Sequence, residues 1–319
     1  MKVLVTGAAG FIGCHVCRAL LSRGDQVYGL DNFDPFYSRN LKENNLAWAR
    51  EAGPLEFTAG DIRNPETLDS CLTAVTGGLD AVIHLAALAG IQPSLADPLR
   101  YQDVNLNGTT QIMEAMRRHD IRRLIFASSS SVYGDYSQVP FQENASVDQP
   151  ISPYAATKKA GELLTYVYHH LYGFSVHCLR FFTAYGPRQR PDLAIRKFAE
   201  RIITGLPITI FGDGSQSRDF TYIDDIVTGI LASLDNLTGY HIYNLGYGQA
   251  VSVIDLVERM SRILGVKPTL VYGVCLPGDM ARTYADISSA AKELGYHPAV
   301  SLTEGLERFI AWLRSTAKQ

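Results

Sequence analysis

The sequence has no apolar run long enough to cross a bilayer, no internal repeat and no low-complexity linker, so neither a spanning helix nor a marked domain junction is expected. Excess charge is missing too. With a net charge of −3 and a pI near 6.2, the chain offers no general attraction to a phosphate backbone or an anionic membrane, and neither nucleic acid nor membrane is expected as a partner. The densest basic run, Arg117 to Arg123, follows an amphipathic stretch and precedes an apolar one, and reads as a solvated helix end and turn. Cysteine is scarce, and the five present are odd in number and scattered, which suits reduced thiols in a cytoplasm. Cys14 and Cys17 have C-x-x-C spacing but no second pair, so packing is expected there rather than redox chemistry or a metal site. The N-terminus enters a strand at once, so no leader peptide is expected.

Among the 319 residues, 46% are hydrophobic, enough for a large core. From residue 1 to about 180, short apolar runs alternate with longer amphipathic segments. Runs 2–6, 26–31, 55–59, 81–85, 124–128 and 175–181 read as strands, and the alternation predicts an α/β fold with a doubly wound parallel sheet. Helices are expected over 100–118 and 154–172. After residue 180 the rhythm breaks into loops dense in Gly, Pro, Arg and Asp, with helices near 195–204, 252–264 and 302–315. This predicts a first domain over 1–180, to which some later segments return, and a smaller C-terminal α/β lobe over 181–319. Leu163, Leu164, Val167 and Leu171 recur at helical spacing; they read as core packing or as a contact between two copies of the chain.

Gly7-Ala8-Ala9-Gly10-Phe11-Ile12-Gly13 lies between the first strand and the first helix. Glycines there allow a tight turn and let amide groups approach a pyrophosphate, whose charge the helix N-terminus stabilises. Asp31 arrives 18 residues after Gly13, at the end of the second strand. A carboxylate at that place accepts hydrogen bonds from ribose hydroxyls and repels a 2′-phosphate, so the expected cofactor is NAD rather than NADP.

Further on, Ser152-Pro153 reads as an N-cap and first turn, and Tyr154 and Lys158, four apart, project from one face of the helix that follows. A phenol is a poor base at neutral pH unless nearby positive charge favours its ionised form, which Lys158 and a nicotinamide ring are expected to do. The fifth strand delivers Ser128 to Ser131 to the carboxyl edge of the sheet, where ligands collect.

The G-x-x-G-x-x-G spacing, the Tyr-x-x-x-Lys pair and the serine run resemble the Rossmann-type extended short-chain dehydrogenase/reductase superfamily, and within it the NAD-dependent sugar-nucleotide epimerases. The segments Leu179–Asp192 and Phe211–Asp225, with Asp31-Asn32-Phe33, Tyr37 and Pro277-Gly278-Asp279, are most similar to UDP-glucuronate 4-epimerases. The resemblance implies that Ser129, Tyr154 and Lys158 are catalytic. It implies that Asn32, Asp61, Ile62, Leu85, Ala86, Ala87, Asn105 and Phe181 join the glycine turn and Asp31 around NAD. It also implies a UDP-sugar substrate held by Arg190, Ala194, Ile195, Lys197, Arg218 and Asp279. Ser130, Ser131 and Thr183 are expected to hold a uronate carboxylate. Related dehydratases carry an Asp-Glu pair where Ser130 and Ser131 stand, which favours epimerisation at C4, interconverting UDP-glucuronate and UDP-galacturonate. Gln92 stands where related epimerases carry an arginine, so UDP-glucose and UDP-N-acetylglucosamine remain alternative substrates. Thr283 falls where hexose epimerases vary a gating side chain, and Arg218 could instead pair with its neighbour Asp219. From a different class, a non-catalytic NAD-sensing module remains open. A homodimer is expected.

Overall fold

The computed structural model describes residues 1–136 and 138–316. In chain order the first half runs β1 (Lys2–Thr6), α1 (Phe11–Ser22), β2 (Gln26–Asp31), α2 (Arg39–Arg50), β3 (Leu55–Ala59), α3 (Pro65–Thr73), β4 (Ala81–His84), α4 (Ile91–Ala96), α5 (Pro98–Gln102), α6 (Gly108–Arg118), β5 (Arg123–Ser129), α7 (Pro153–Tyr172) and β6 (Ser175–Phe181). The second half runs β7 (Thr183–Tyr185), α8 (Ala194–Ile203), β8 (Ile208–Phe211), β9 (Ser217–Tyr222), α9 (Ile223–Asp235), β10 (Tyr240–Leu245), β11 (Ala250–Ser252), α10 (Val253–Leu264), β12 (Leu270–Gly273), α11 (Ser288–Leu294) and α12 (Leu302–Thr316).

Seven parallel strands form the main sheet, in the order β10-β6-β5-β4-β1-β2-β3. Strand order reverses between β1 and β4, the point where a doubly wound Rossmann sheet opens a crevice at its carboxyl edge. The apolar runs reflect burial on both faces: Val3, Val5, Val82, Ile83, Leu124, Ile125, Val176 and Cys178 are wholly buried. The seventh strand comes from beyond residue 180, carried back by α9. Its sequence, Tyr-His-Ile-Tyr-Asn-Leu, mixes polar and apolar residues, and only its second half is fully buried. Two small sheets, β11-β9-β7 and β12-β8, make up the rest.

Two details of this frame position the site. Helix α7 starts where Ser152 Oγ accepts from the Ala155 amide at 3.1 Å with Pro153 in the first turn, and stops at Gly173 in the left-handed conformation. At Gly161 a Cβ would lie 2.3 Å from the Phe126 ring, so the missing side chain lets α7 sit directly on β5. The second detail corrects an expectation. The stretch 100–118 is not one helix but α5, a π-helical segment Asp103–Asn107, and α6. Asn105 turns inward to bond the Leu88 backbone, and Thr109 Oγ1 donates to the Asn105 carbonyl at 2.6 Å, so a regular α register is interrupted where the side chain is needed.

The apolar face of α7 also departs from simple core packing. Leu164 packs inward, but Leu163, Val167 and Leu171 are 57%, 44% and 60% exposed. Cys14 and Cys17 are buried, and burial pushes the Cys14 thiol up to about 12, so neither is a ready thiolate. Among the described residues, no cluster of His, Cys, Asp or Glu is placed to hold a metal.

Candidate active site

The glycine turn is built for close approach. Gly7 has φ +71°, and a Cβ there would meet the Ala86 amide nitrogen at 2.9 Å; one at Gly13 would lie 2.0 Å from the Gly7 carbonyl. Gly10 caps α1 without a side-chain bond, so the amides of Phe11, Ile12 and Gly13 open the helix. Leu85, Ala86 and Ala87 leave β4 beside this turn, with the Ala86 amide donating to Thr6 Oγ1 at 3.1 Å. Asp31 ends β2 and accepts from the amides of Ala9 at 3.2 Å and Phe33 at 2.8 Å. Burial raises its carboxyl, opposed by Lys42, whose Nζ lies 3.9 Å away. Asn32 donates to Asp61 at 2.9 Å, and Arg63 holds that carboxyl well below the usual range; Ile62 is buried beside it. A glycine cradle that any side chain would fill, a helix N-terminus and a carboxylate at the end of β2 suit a dinucleotide without a 2′-phosphate.

Ser129 ends β5, and its Oγ accepts from the Ser131 amide at 3.2 Å and the Ser131 hydroxyl at 2.9 Å. Its own proton is thereby free for the Tyr154 phenol, whose ionised form Ser129 favours. Lys158 is buried, donates to the Ala127 carbonyl at 2.7 Å and lies 5.3 Å from the Phe126 ring centre. Burial pushes its ammonium down to about 8. The structure therefore brings Ser129, Tyr154 and Lys158 to one edge of the sheet. It differs on the phenol: burial raises Tyr154, and the opposing influences are the Ser129 hydroxyl and the charge of Arg190 rather than Lys158. Asn105 fixes the surroundings, holding both backbone groups of Leu88 and donating to Thr157 on α7 at 3.0 Å. Tyr101 packs edge-on against Tyr154 with ring centres 6.2 Å apart. Phe181 ends β6, half-buried against the core.

At the other end, Arg190 forms a bidentate pair with Asp192 at 3.0 and 2.8 Å and lies over Phe36. Its place near Ala89 and Tyr154 puts it closer to the reacting end than a remote anchor would be. Arg218 bonds Asp279, not Asp219. Successive residues of β9 face opposite ways, and Asp219 turns into the core to accept from the amides of Tyr247, Gly248 and Ala285. On α8, Ala194 and Lys197 are exposed while the Ile195 side chain is buried in the core, so Ile195 can offer a ligand only its backbone. Thr183 opens β7, half-buried, and Ser130 is buried without a partner for its hydroxyl among the hydrogen bonds of the described residues. Thr283 is buried, and its Oγ1 accepts from the Asp219 amide at 3.2 Å. Gln92 donates to the Pro277 carbonyl at 2.8 Å, tying α4 to the loop that carries Asp279.

Sequence reasoning missed one buried group. Arg180 pairs with Glu162 at 2.8 and 2.9 Å, and Ser128 donates to the same carboxylate at 2.6 Å. The signal was available, since a charged residue inside an apolar strand needs a buried partner, and Glu162 lies one turn beyond Lys158.

Comparison with known proteins agrees with this geometry. The chain is 45% identical to a UDP-glucuronate 4-epimerase from Thermodesulfobacterium geofontis, over 97% of this chain and 95% of that one. It superposes on the crystal structure of a UDP-glucuronic acid 4-epimerase from Bacillus cereus, in complex with UDP-glucuronic acid and NAD, with a TM-score of 0.93 and 39% identity, covering 99% and 100% of the two chains. A UDP-glucose 4-epimerase from Thermus thermophilus in complex with NAD matches with a TM-score of 0.88 and 32% identity, covering 98% and 99%. Residues 3–246 match the NAD dependent epimerase/dehydratase family, and the chain belongs to it.

Proposed function

We propose that this chain is an NAD-dependent 4-epimerase that interconverts UDP-glucuronate and UDP-galacturonate. The observation that carries this reading is a phenol, a serine hydroxyl and a buried ammonium converging at one sheet edge beside a dinucleotide cradle, with hydroxyls at Ser130 and Ser131 where an eliminating enzyme needs an acid and a base. The cofactor supplies a hydride acceptor at C4 of the sugar. The rest falls to side chains. Tyr154 takes the proton from O4 and returns it, Ser129 donates a hydrogen bond to the same oxygen, and Lys158 holds the nicotinamide ribose. Because burial raises the phenol, its ionisation depends on positive charge brought in with the cofactor and on Arg190. Arg218, Asp279, Lys197 and the α8 N-terminus anchor UDP, which leaves the hexose free to turn. Ser130, Ser131 and Thr183 hold the uronate carboxylate in an orientation unfavourable to loss of CO2.

The test is a product assay with UDP-glucuronate and UDP-glucose. A C4 epimer formed without net NADH supports the proposal, whereas UDP-xylose or a 4-keto-6-deoxy sugar overturns it. Epimerisation of UDP-glucose alone selects the second reading, which Gln92 favours because its amide is engaged by Pro277 and leaves no cation for an acidic sugar. Tyr154→Phe separates either epimerase from an NAD-sensing module, since it abolishes turnover and spares NAD binding.

The exposed Leu163, Tyr166, Val167 and Leu171 on α7 support a homodimer through this face, which light scattering tests. Free thiols at Cys14, Cys17, Cys71, Cys178 and Cys275 support a reducing, cytoplasmic setting. No helix among the described residues is long and apolar enough to cross a membrane.

A further inference from the structure

His84 ends β4 beneath the glycine turn, wholly out of reach of substrate, and no step of the proposed reaction uses it. Its surroundings nevertheless fix every proton it shares. The Ala86 amide can only donate, so Thr6 Oγ1 accepts at 3.1 Å and directs its own proton to His84 Nδ1 at 2.7 Å. On the other side, Thr109 directs its proton to the Asn105 carbonyl at 2.6 Å, so it accepts from His84 Nε2–H at 3.0 Å. The opposite tautomer would leave the Thr6 proton and Nε2 without partners in a buried site. Asn105 then donates to Thr157 Oγ1 at 3.0 Å, and Thr157 donates to the carbonyl of Tyr154 at 2.8 Å. Six hydrogen bonds thus run one way, from the Ala86 amide beside the glycine turn to the backbone of the proposed base. Burial keeps the imidazole neutral, with its pKa down to about 3, as this polarity requires.

We propose that His84, as the Nε2–H tautomer, is a positioning residue that couples the Ala86 segment supporting the glycine turn to the seating of Tyr154 through Thr109, Asn105 and Thr157. The proposal rests on Tyr154 being the base. It makes the two ends one unit, so loosening the turn displaces a residue on another helix. The π-helical segment at Asn105 belongs to the same device, because it turns the Asn105 side chain toward α7 while Thr109 keeps its carbonyl occupied.

The experiment is a double-mutant cycle on Thr6→Val and Thr157→Val, which lie at opposite ends of the relay, assayed at saturating NAD and UDP-sugar. Each single variant is expected to lower kcat by about tenfold with KM for the UDP-sugar unchanged, and the double variant no further than the worse single. Amide hydrogen exchange over residues 154–160 is expected to quicken in Thr6→Val, although that substitution sits in β1. His84→Gln, which can present an acceptor to Thr6 and a donor to Thr109, is expected to retain more kcat than His84→Phe. Should His84→Phe fail to fold, the threonine cycle decides alone. Losses that multiply, a Thr6→Val defect cured by saturating NAD, or unchanged exchange over 154–160 overturn the relay. If Tyr154→Phe turns over normally, the assignment of the base fails and takes the relay with it, an outcome distinct from multiplying losses with Tyr154→Phe inactive.

Discussion

Replacing Lys158 with methionine is expected to stabilise the protein while abolishing its turnover. Lys158 is 5% exposed and its pKa falls from 10.5 to about 8 through burial. That drop amounts to about 3 kcal/mol of unfavourable charge in the folded state at pH 7. Methionine fills similar space without the charge, but leaves the Ala127 carbonyl short of its 2.7 Å donor, a loss of roughly 1–2 kcal/mol. The net gain is about 1–2 kcal/mol at pH 7. The sign of the pH dependence follows from the depressed value. Between about 8 and 10.5 the unfolded chain holds the Lys158 proton and the folded chain does not, so the stability of the parent rises with pH across this window. The advantage of Lys158→Met is therefore full at pH 7 and narrows toward pH 10. Urea unfolding of dinucleotide-free protein at several pH values measures this directly. A variant less stable than its parent at pH 7, or a gap that does not change between pH 7 and pH 10, would refute the reasoning.

Three further outcomes follow from the same contacts. Arg180→Met leaves the buried Glu162 carboxylate only Ser128 and Lys159, whose Nζ lies 3.7 Å away, and is expected to lose about 3 kcal/mol in urea unfolding, most of it regained in Glu162→Gln/Arg180→Met. Asp31→Ser removes the carboxylate that repels a 2′-phosphate; dye-free equilibrium titration is expected to show the NADP-to-NAD affinity ratio rising at least about tenfold. Thr183→Val is expected to raise the share of decarboxylated product from UDP-glucuronate, read by chromatography of the products, and unchanged product purity would remove Thr183 from carboxylate binding.

Much of this molecule is legible in its sequence because parallel strands covered on both faces are apolar through their centres, as 3–5 and 81–83 are. The glycine turn, Asp31, Ser129 and the Tyr154–Lys158 pair could be read for a similar reason: each is a residue type forced by local geometry or by chemistry at a strand end. What escaped depends on contacts between distant segments. The edge strand β10 mixes polar and apolar residues without a strand period, and its membership in the main sheet is decided by pairing with β6, sixty-odd positions away by its register of Tyr240 with Val176. The interruption at Asn105 leaves the apolar periodicity of 100–118 intact while changing its hydrogen bonds. The pairing of Arg218 with Asp279 could not be read without the strand itself, since adjacency of Arg218 and Asp219 in sequence is separation across a pleat.

The contacts around α7 show why geometry here belongs to a helix rather than to single residues. Tyr154, Lys158, Gly161 and Glu162 occupy one inward stripe, while Leu163, Val167 and Leu171 occupy the opposite face. Contact with the sheet is set at Gly161, where the Phe126 ring leaves no space for even a methyl group. If α7 moved outward by an ångström, the Lys158–Ala127 bond at 2.7 Å and the Glu162–Ser128 bond at 2.6 Å would both stretch beyond useful length. Those bonds therefore report how the helix is seated and do not independently set it. A partner packed on the outer face would press the same helix toward the same strand, so association of two copies and alignment of the base would favour each other. Substitutions on the outward face would then lower kcat without touching any group that meets substrate.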